Sequence, residues 1–275
     1  MNGLARVRRW IGAHVVLVLG LLVLVYMFVP IAVVVLMSFN DPGRSRNVYA
    51  FRGFTLHNWT HACEPAGMCH AVGTSLLIGL LATLVATVIG TMAAFALVRH
   101  SFMGRSFANT IIFLPMASPE IVMGTSLLAL FLSISRWGPP LGFWTILIAH
   151  VMFCLSFVIV TVRARLVGLD ENLEQAAMDL YANESQTFWR ITFPLVLPGI
   201  LGAALLSLSL SFDDFIITYL NAGQTVTFPV YVWGAAQRGV PMQANVVGTA
   251  MFIIALVIVI ANEMNNRRRQ RALAH

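Results

Sequence analysis

Three carboxylates sit where charge is costly. Glu120, Asp213 and Asp214 fall inside apolar runs of a 275-residue chain that holds only eleven acidic residues. Apart from Glu263, at the end of another such run, no other acid lies at that depth. A charge at the centre of a hydrocarbon layer costs at least ~2.5–3.5 kcal/mol, so an acid kept there has a partner or a task. Ser207, Ser209, Ser211 and Thr218 share the stretch with the aspartates. Neighbouring helical positions point about 100° apart. One aspartate is therefore expected to face a polar pathway, and the other a partner helix or the outer interface. Two blander readings stand beside this one: both at headgroup level, or both paired with Arg of another subunit. Carboxylates with an aromatic face such as Phe212 can replace water around a cation.

The other reactive side chains are few. His150 opens a Met- and Phe-rich stretch and reads as a packed, helix-bridging group rather than a proton carrier. Cys154 reads as core packing. Cys63 and Cys69 lie in a polar segment with His57, His61 and His70 around them. An oxidised pair, two inert thiols and a metal site all fit that composition, although the spacing matches no metal pattern. Asn58-Trp59-Thr60 is a glycosylation sequon, of consequence only in a eukaryotic secretory host. All 17 basic residues are Arg. Without Lys there is no P-loop lysine, Schiff base or lysine general base. No Ser-His-Asp motif or metal-ligand cluster appears either. The chain reads as neither an enzyme nor a holder of its own cofactor.

These residues are positioned by a membrane protein. The chain is 59% hydrophobic and 10% charged, with a mean hydropathy of +0.82. A soluble domain carries about 25% charged residues. Stretches of roughly 20 apolar residues span a bilayer. Six occur, at about 14–38, 72–98, 107–134, 143–162, 195–219 and 245–262, so 1–275 reads as one all-α membrane domain. The first is too long for a signal-peptide core and reads as a retained anchor. Arg6, Arg8, Arg9, Arg99, Arg105, Arg163, Arg165, Arg190, Arg267, Arg268, Arg269 and Arg271 fall on one side. Arg44, Arg46, Arg52, Arg136 and Arg238 fall on the other. Twelve against five puts both termini in the cytoplasm. The net charge of +6 is thereby explained by orientation rather than by nucleic acid. Outside, Asn40-Asp41-Pro42-Gly43 reads as a turn, and Thr55 to Ala62 as a short interfacial helix. Pro115 and Pro119 loosen the third helix just before Glu120, either as a packing kink or as a wall of the path. Gly199, Gly202 and Ala203 permit close helix contact in the fifth.

The polar stretch 163–200 holds five of the eleven acids on the cytoplasmic side. Asn172 with Gln175, or Asp170 alone, can cap a helix there. Leu173, Ala176, Ala177 and Leu180 then give it one small apolar face, open to a partner. Asn183 with Gln186 offers a second cap, and Phe188, Trp189 and Ile191 a bulky face. Pro194 and Pro198 are expected to stop this second helix. Two short helices in an L follow.

Glu174-Gln175-Ala176-Ala177-Met178-Asp179-Leu180, with Ile191, Pro194, Pro198 and Gly199, resembles the EAA loop of ABC importer permeases. Ser118-Pro119-Glu120-Ile121-Val122-Met123, Gly142-Phe143-Trp144, His150, Cys154-Leu155-Ser156-Phe157-Val158, Ser211-Phe212-Asp213-Asp214-Phe215 and Pro229-Val230-Tyr231 resemble the spermidine/putrescine type, second permease of the pair. The resemblance runs from about 10 to 262. It implies the type I importer permease fold, with six transmembrane helices and cytoplasmic EAA coupling helices, in a bacterial inner membrane. It also implies a second permease, two ATPase subunits carrying ATP and Mg, and an extracytoplasmic substrate-binding protein. Glu174, Ala176, Ala177, Asp179, Leu180 and Tyr181 would couple to the ATPase. Glu120, Phe212, Asp213 and Asp214 would line the polyamine path. The same machinery carrying ferric iron, an opine, sulfate or a sugar is the alternative, with a stand-alone secondary carrier behind it. Tyr181 departs from the family's Gly. Either the coupling helix ends differently here, or Asn183 becomes the turn residue.

Overall fold

The structure, a computed structural model, describes residues 2–273 apart from 42, 44–49, 135–137, 171 and 238. It leaves the side chains of 2–11, 13, 262–263 and 265–273 undescribed. The expectations for Pro42, Arg44, Arg46, Arg136, Arg238 and Glu263, and for the arginines near both termini, lie outside those residues.

Apolar runs without water to satisfy their backbone must close their hydrogen bonds locally, and helices do so. Among the described residues no strand forms, and a single antiparallel bridge joins Asn40 to Phe54. In chain order the helices are α1 (Asn2–Ser38), α2 (His57–Thr60), α3 (Met68–Arg99), α4 (Arg105–Ala117), α5 (Glu120–Ser133), α6 (Phe143–Val167), α7 (Asn172–Asp179), α8 (Glu184–Thr187), α9 (Phe193–Asp213), α10 (Ile216–Asn221), α11 (Phe228–Ala236) and α12 (Met242–Leu273). Among the described residues five helical stretches are long and apolar enough to cross a membrane, or six if the bent pair α4–α5 is one span.

Two compact units divide the chain, residues 1–69 with 234–275, and residues 70–233. In the first, α1 packs along α12 and α2 lies against α12. The end of α1 leaves carbonyls without intrahelical partners. The Asn58 amide takes two of the carbonyls there, donating to Ser38 O at 3.1 Å and Asn40 O at 2.9 Å. That buries the sequon asparagine. Phe39 stacks on Phe54 and Trp59. Asp41 Oδ1 accepts from Gly43 N at 2.9 Å, as the expected turn requires. Cys63 and Cys69 are joined as a disulfide.

The second unit is built on α6 and α9, with α4 on α6 and α10 against α5 and α6. Ala86, Ala94, Leu97, Phe153, Val158, Val162, Leu166, Val196 and Ala203 form its core. Small residues set the approach of the helices. A Cβ on Gly90 would lie 2.7 Å from Val158 Cγ1, and one on Gly124 2.8 Å from Leu220 Cδ1.

The elements depart from the sequence expectation at three places. The third span is not one helix over 107–134. It breaks at Ser118-Pro119, and α4 and α5 diverge by 106°. Pro119 has no N–H to bond back into α4, and Ser118 before it is extended (ψ 137°). The fifth span does not run to 219. It ends at Asp213, and the chain is extended at Asp214 before α10 begins. Finally, Pro194 and Pro198 do not stop the second loop helix. Residues Phe188–Thr192 form a π turn in which Phe193 N bonds back to Phe188 O. The wider turn shifts the hydrogen-bond register by one, so α8 runs through the prolines into α9 as one 30-residue stretch, Glu184–Asp213.

Candidate functional site

Residues 163–192 and the α9–α10 break carry the polar chemistry of the second unit. In the loop, Asp170 Oδ1 accepts from Asn172 N at 3.0 Å and starts α7. Asn183 Oδ1 accepts from Gln186 N at 2.8 Å, while Gln186 Oε1 accepts from Asn183 N at 3.1 Å. That is the second cap the sequence predicts, in its reciprocal form.

Between the caps, α7 ends on a specific device. Ala182 N donates to Ala177 O at 3.1 Å and Tyr181 N to Met178 O at 3.0 Å. This pair of bonds is the Schellman ending, which requires a left-handed residue in the Tyr181 position. Tyr181 adopts it, with φ 66°, alone among the described non-glycine residues. Neither sequence alternative for this turn holds. The helix ends where a glycine would end it, and Asn183 keeps a negative φ of −78° as a cap. The Tyr181 side chain is 99% exposed and Leu180 81%.

The small face expected on α7 is split. Ala176 and Leu180 are exposed with Leu173 and Asp179, but Ala177 is buried. Glu174, three positions before Ala177, turns inward too. Its Oε1 accepts from Arg99 Nη2 at 2.7 Å and from Thr192 Oγ1 at 2.8 Å. Two more arginines of this side have partners. Arg163 Nη1 donates to Asn109 Oδ1 at 2.8 Å, joining α6 to α4. Arg165 Nε donates to Leu195 O at 3.1 Å, and its stem lies across Gly199.

At the α9–α10 break the two aspartates part, because α9 ends at Asp213 and the backbone is extended at Asp214. Asp214 is 7% exposed and turns into the bundle. Its Oδ2 accepts from Thr218 N and Thr218 Oγ1, both at 2.8 Å, and lies 3.3 Å from His150 Nε2. His150, 1% exposed, reaches Ser211 Oγ at 2.6 Å through Nδ1 and Thr218 Oγ1 at 2.8 Å through Nε2. The helix-bridging histidine read from the sequence is therefore what the fold contains. Sequence reading missed that Ser211, His150 and Asp214 meet. Their only signal was that each is polar within an apolar helix. All three are buried, and together they form a joint at the break between α9 and α10.

Asp213 and Glu120, by contrast, are exposed on this unit, and Phe212 is half-buried with its ring 6.0 Å from that of Phe228. Glu120 and Asp214 both lie close enough for their charges to act on Asp213. Glu120 is the first residue of α5, where a helix N-terminus favours an acid. Cys154 Sγ donates to Ser207 O at 3.5 Å inside the core and is inaccessible.

Known proteins share this plan. A family model for the binding-protein-dependent transport system inner membrane component matches residues 86–267. The spermidine/putrescine transport system permease protein PotC of Escherichia coli K12 is 34% identical over 247 residues, 90% of this chain and 91% of that one. The putrescine transport system permease protein PotI of the same strain is 34% identical over 255 residues, 90% of this chain and 88% of that one. Among solved structures, a chain of a bacterial alginate ABC transporter in complex with alginate pentasaccharide-bound periplasmic protein aligns with a TM-score of 0.67 at 18% identity, covering 94% of this chain and 95% of that chain. A chain of the MetNI methionine ABC transporter in an inward-facing form aligns at 0.57 and 15% identity, covering 72% and 93%.

Proposed function

The chain belongs to the family of binding-protein-dependent transport system inner membrane components, and we propose that it is one permease of an ATP-driven importer of polyamines. The observation that carries the substrate class is the 34% identity to spermidine and putrescine permeases along nine-tenths of the chain. The geometry agrees with a cationic solute. Asp213 and Glu120 are the exposed acids of the second unit's apolar helices, and Phe212 adds an aromatic face beside them.

In this reading the chain is a non-catalytic subunit of a bacterial inner membrane, with both termini and the 163–194 loop in the cytoplasm. It pairs with a second permease and receives solute from an extracytoplasmic binding protein. Two ATPase subunits hold ATP and Mg; this chain binds no cofactor. Leu173, Ala176, Asp179, Leu180 and Tyr181 present the outer face of α7 to the ATPase, while Glu174 and Ala177 hold that helix from behind. ATP-driven closure of the ATPase pair moves the loop, and the permeases rock between inward and outward openings.

Purification of the complex with its binding protein, followed by ATP hydrolysis measured with candidate solutes, tests this. Spermidine or putrescine is expected to stimulate hydrolysis. Stimulation by ferric iron, an opine, sulfate or a sugar alone would reassign the substrate, and a chain that recruits no ATPase would refute the importer reading.

A further inference from the structure

Glu174 opens the motif that resembles the coupling segment, yet its carboxylate turns inward between two other elements. Arg99 is the final residue of α3, a 32-residue helix. Thr192 is the last residue of the π turn and leads directly into α9. One oxygen of Glu174 accepts from both. We infer that Arg99 is a positioning residue for energy coupling: through Glu174 it fastens α7 to the ends of α3 and α9, so that a displaced loop carries both helices with it.

A second contact supports the same seam independently. Phe95 meets Phe188 edge-on at 5.4 Å between ring centroids. Phe95 lies four residues before Arg99, and Phe188 four before Thr192. On helical spacing each falls about one turn away, on the same face. The end of α3 is thus joined to the π turn twice, one turn apart, by an aromatic pair and by the Arg99–Glu174–Thr192 contact. Two such ties resist both sliding and rolling. The π turn matters here because a wider turn without them is a natural place to bend.

The environment suits a mechanical link. Arg99 and Glu174 side chains are 21% and 24% exposed. A fully exposed pair contributes little, since water and salt screen it. A fully buried one suffers a large desolvation cost. At this intermediate depth a charge-assisted contact is short and directional. Ala177, buried on the same face of α7 as Glu174, lets the helix sit close.

The inference rests on the proposed docking of an ATPase at the loop, so recruitment of the ATPase by the unaltered chain is scored first, and its absence overturns that reading. The complex is then reconstituted in vesicles, and solute uptake and ATP hydrolysis are measured side by side. Arg99→Ala and Glu174→Gln are expected to keep the ATPase bound while solute moved per ATP falls by about fivefold or more, the lower range of coupling between sites. Exchange of the two charges, Arg99→Glu with Glu174→Arg, is expected to recover most of that ratio. Should Arg99→Ala fail to accumulate, Arg99→Lys keeps the charge but not the forked geometry and is expected to lower the ratio partially. An unchanged ratio in the single variants overturns the role. Uptake and hydrolysis falling in equal proportion also overturn it, because a merely weakened fold loses both.

Discussion

Tyr181 holds a left-handed backbone that costs a side chain about 1–2 kcal/mol relative to glycine. The Schellman hydrogen bonds of α7 maintain it, since Ala182 N and Tyr181 N cannot reach their carbonyls from another conformation. Its ring touches solvent over almost its whole surface. Tyr181→Gly should therefore relieve the backbone and leave solute uptake by the complex at its original rate. A loss of uptake would show that the ring itself contacts the ATPase or a neighbouring loop. The aspartates make a paired prediction at the same scale. Asp213→Asn should cut uptake while the complex assembles and melts normally. Asp214→Asn should also lower thermal stability, by about 1–3 kcal/mol, because two donors from Thr218 and the His150 contact then face a weaker acceptor. Unchanged uptake with both as Asn would remove these residues from the path.

Between helices, closeness is set by glycine at a few positions. Gly90 faces Val158, and a Cβ there would meet both Val158 Cγ1 at 2.7 Å and Val158 Cβ at 2.9 Å. Neither atom lies at the end of a flexible chain, so Gly90→Ala must separate α3 from α6. Overpacking of this kind costs about 1–3 kcal/mol, and the expected result is a lower melting temperature of the purified complex. Gly20→Ala, with open space around it, is the control and should leave melting unchanged. Breaks matter as much as contacts at this scale. Pro119 announced the α4–α5 break, because a residue without N–H ahead of a new helix is a recognisable stop. The break at Asp213-Asp214 carried no proline or glycine. It forms because Asp214 accepts from Thr218 N four residues on, which starts α10 afresh. That contact depends on the buried cluster around His150, and no local pattern encodes it. The π turn reversed the opposite expectation, since one wide turn carried the helix past Pro194.

For the molecule as a whole, the arginine asymmetry makes a topological prediction. Cys63 and Cys69 should be extracytoplasmic. In intact cells a membrane-impermeant maleimide should label them only after reduction, and Cys154 not at all, since it lies in the core. Labelling that requires broken cells would invert the orientation. The sequence by itself determined the class: apolar runs long enough to span a bilayer must be helical there. It determined the second loop cap, a contact between residues three apart, and left the first open between Asp170 and Asn172, of which the structure uses Asp170. It placed the acids at membrane depth but did not say which aspartate turns inward. The tertiary structure decided that, along with the meeting of His150, Ser211, Thr218 and Asp214 across α6, α9 and α10. It also decided that Glu174 faces Arg99, across 75 residues of chain. The physical reason is range. Hydropathy and capping act through neighbours in sequence, whereas a buried polar group is satisfied by whichever donor or acceptor the packed helices bring to it.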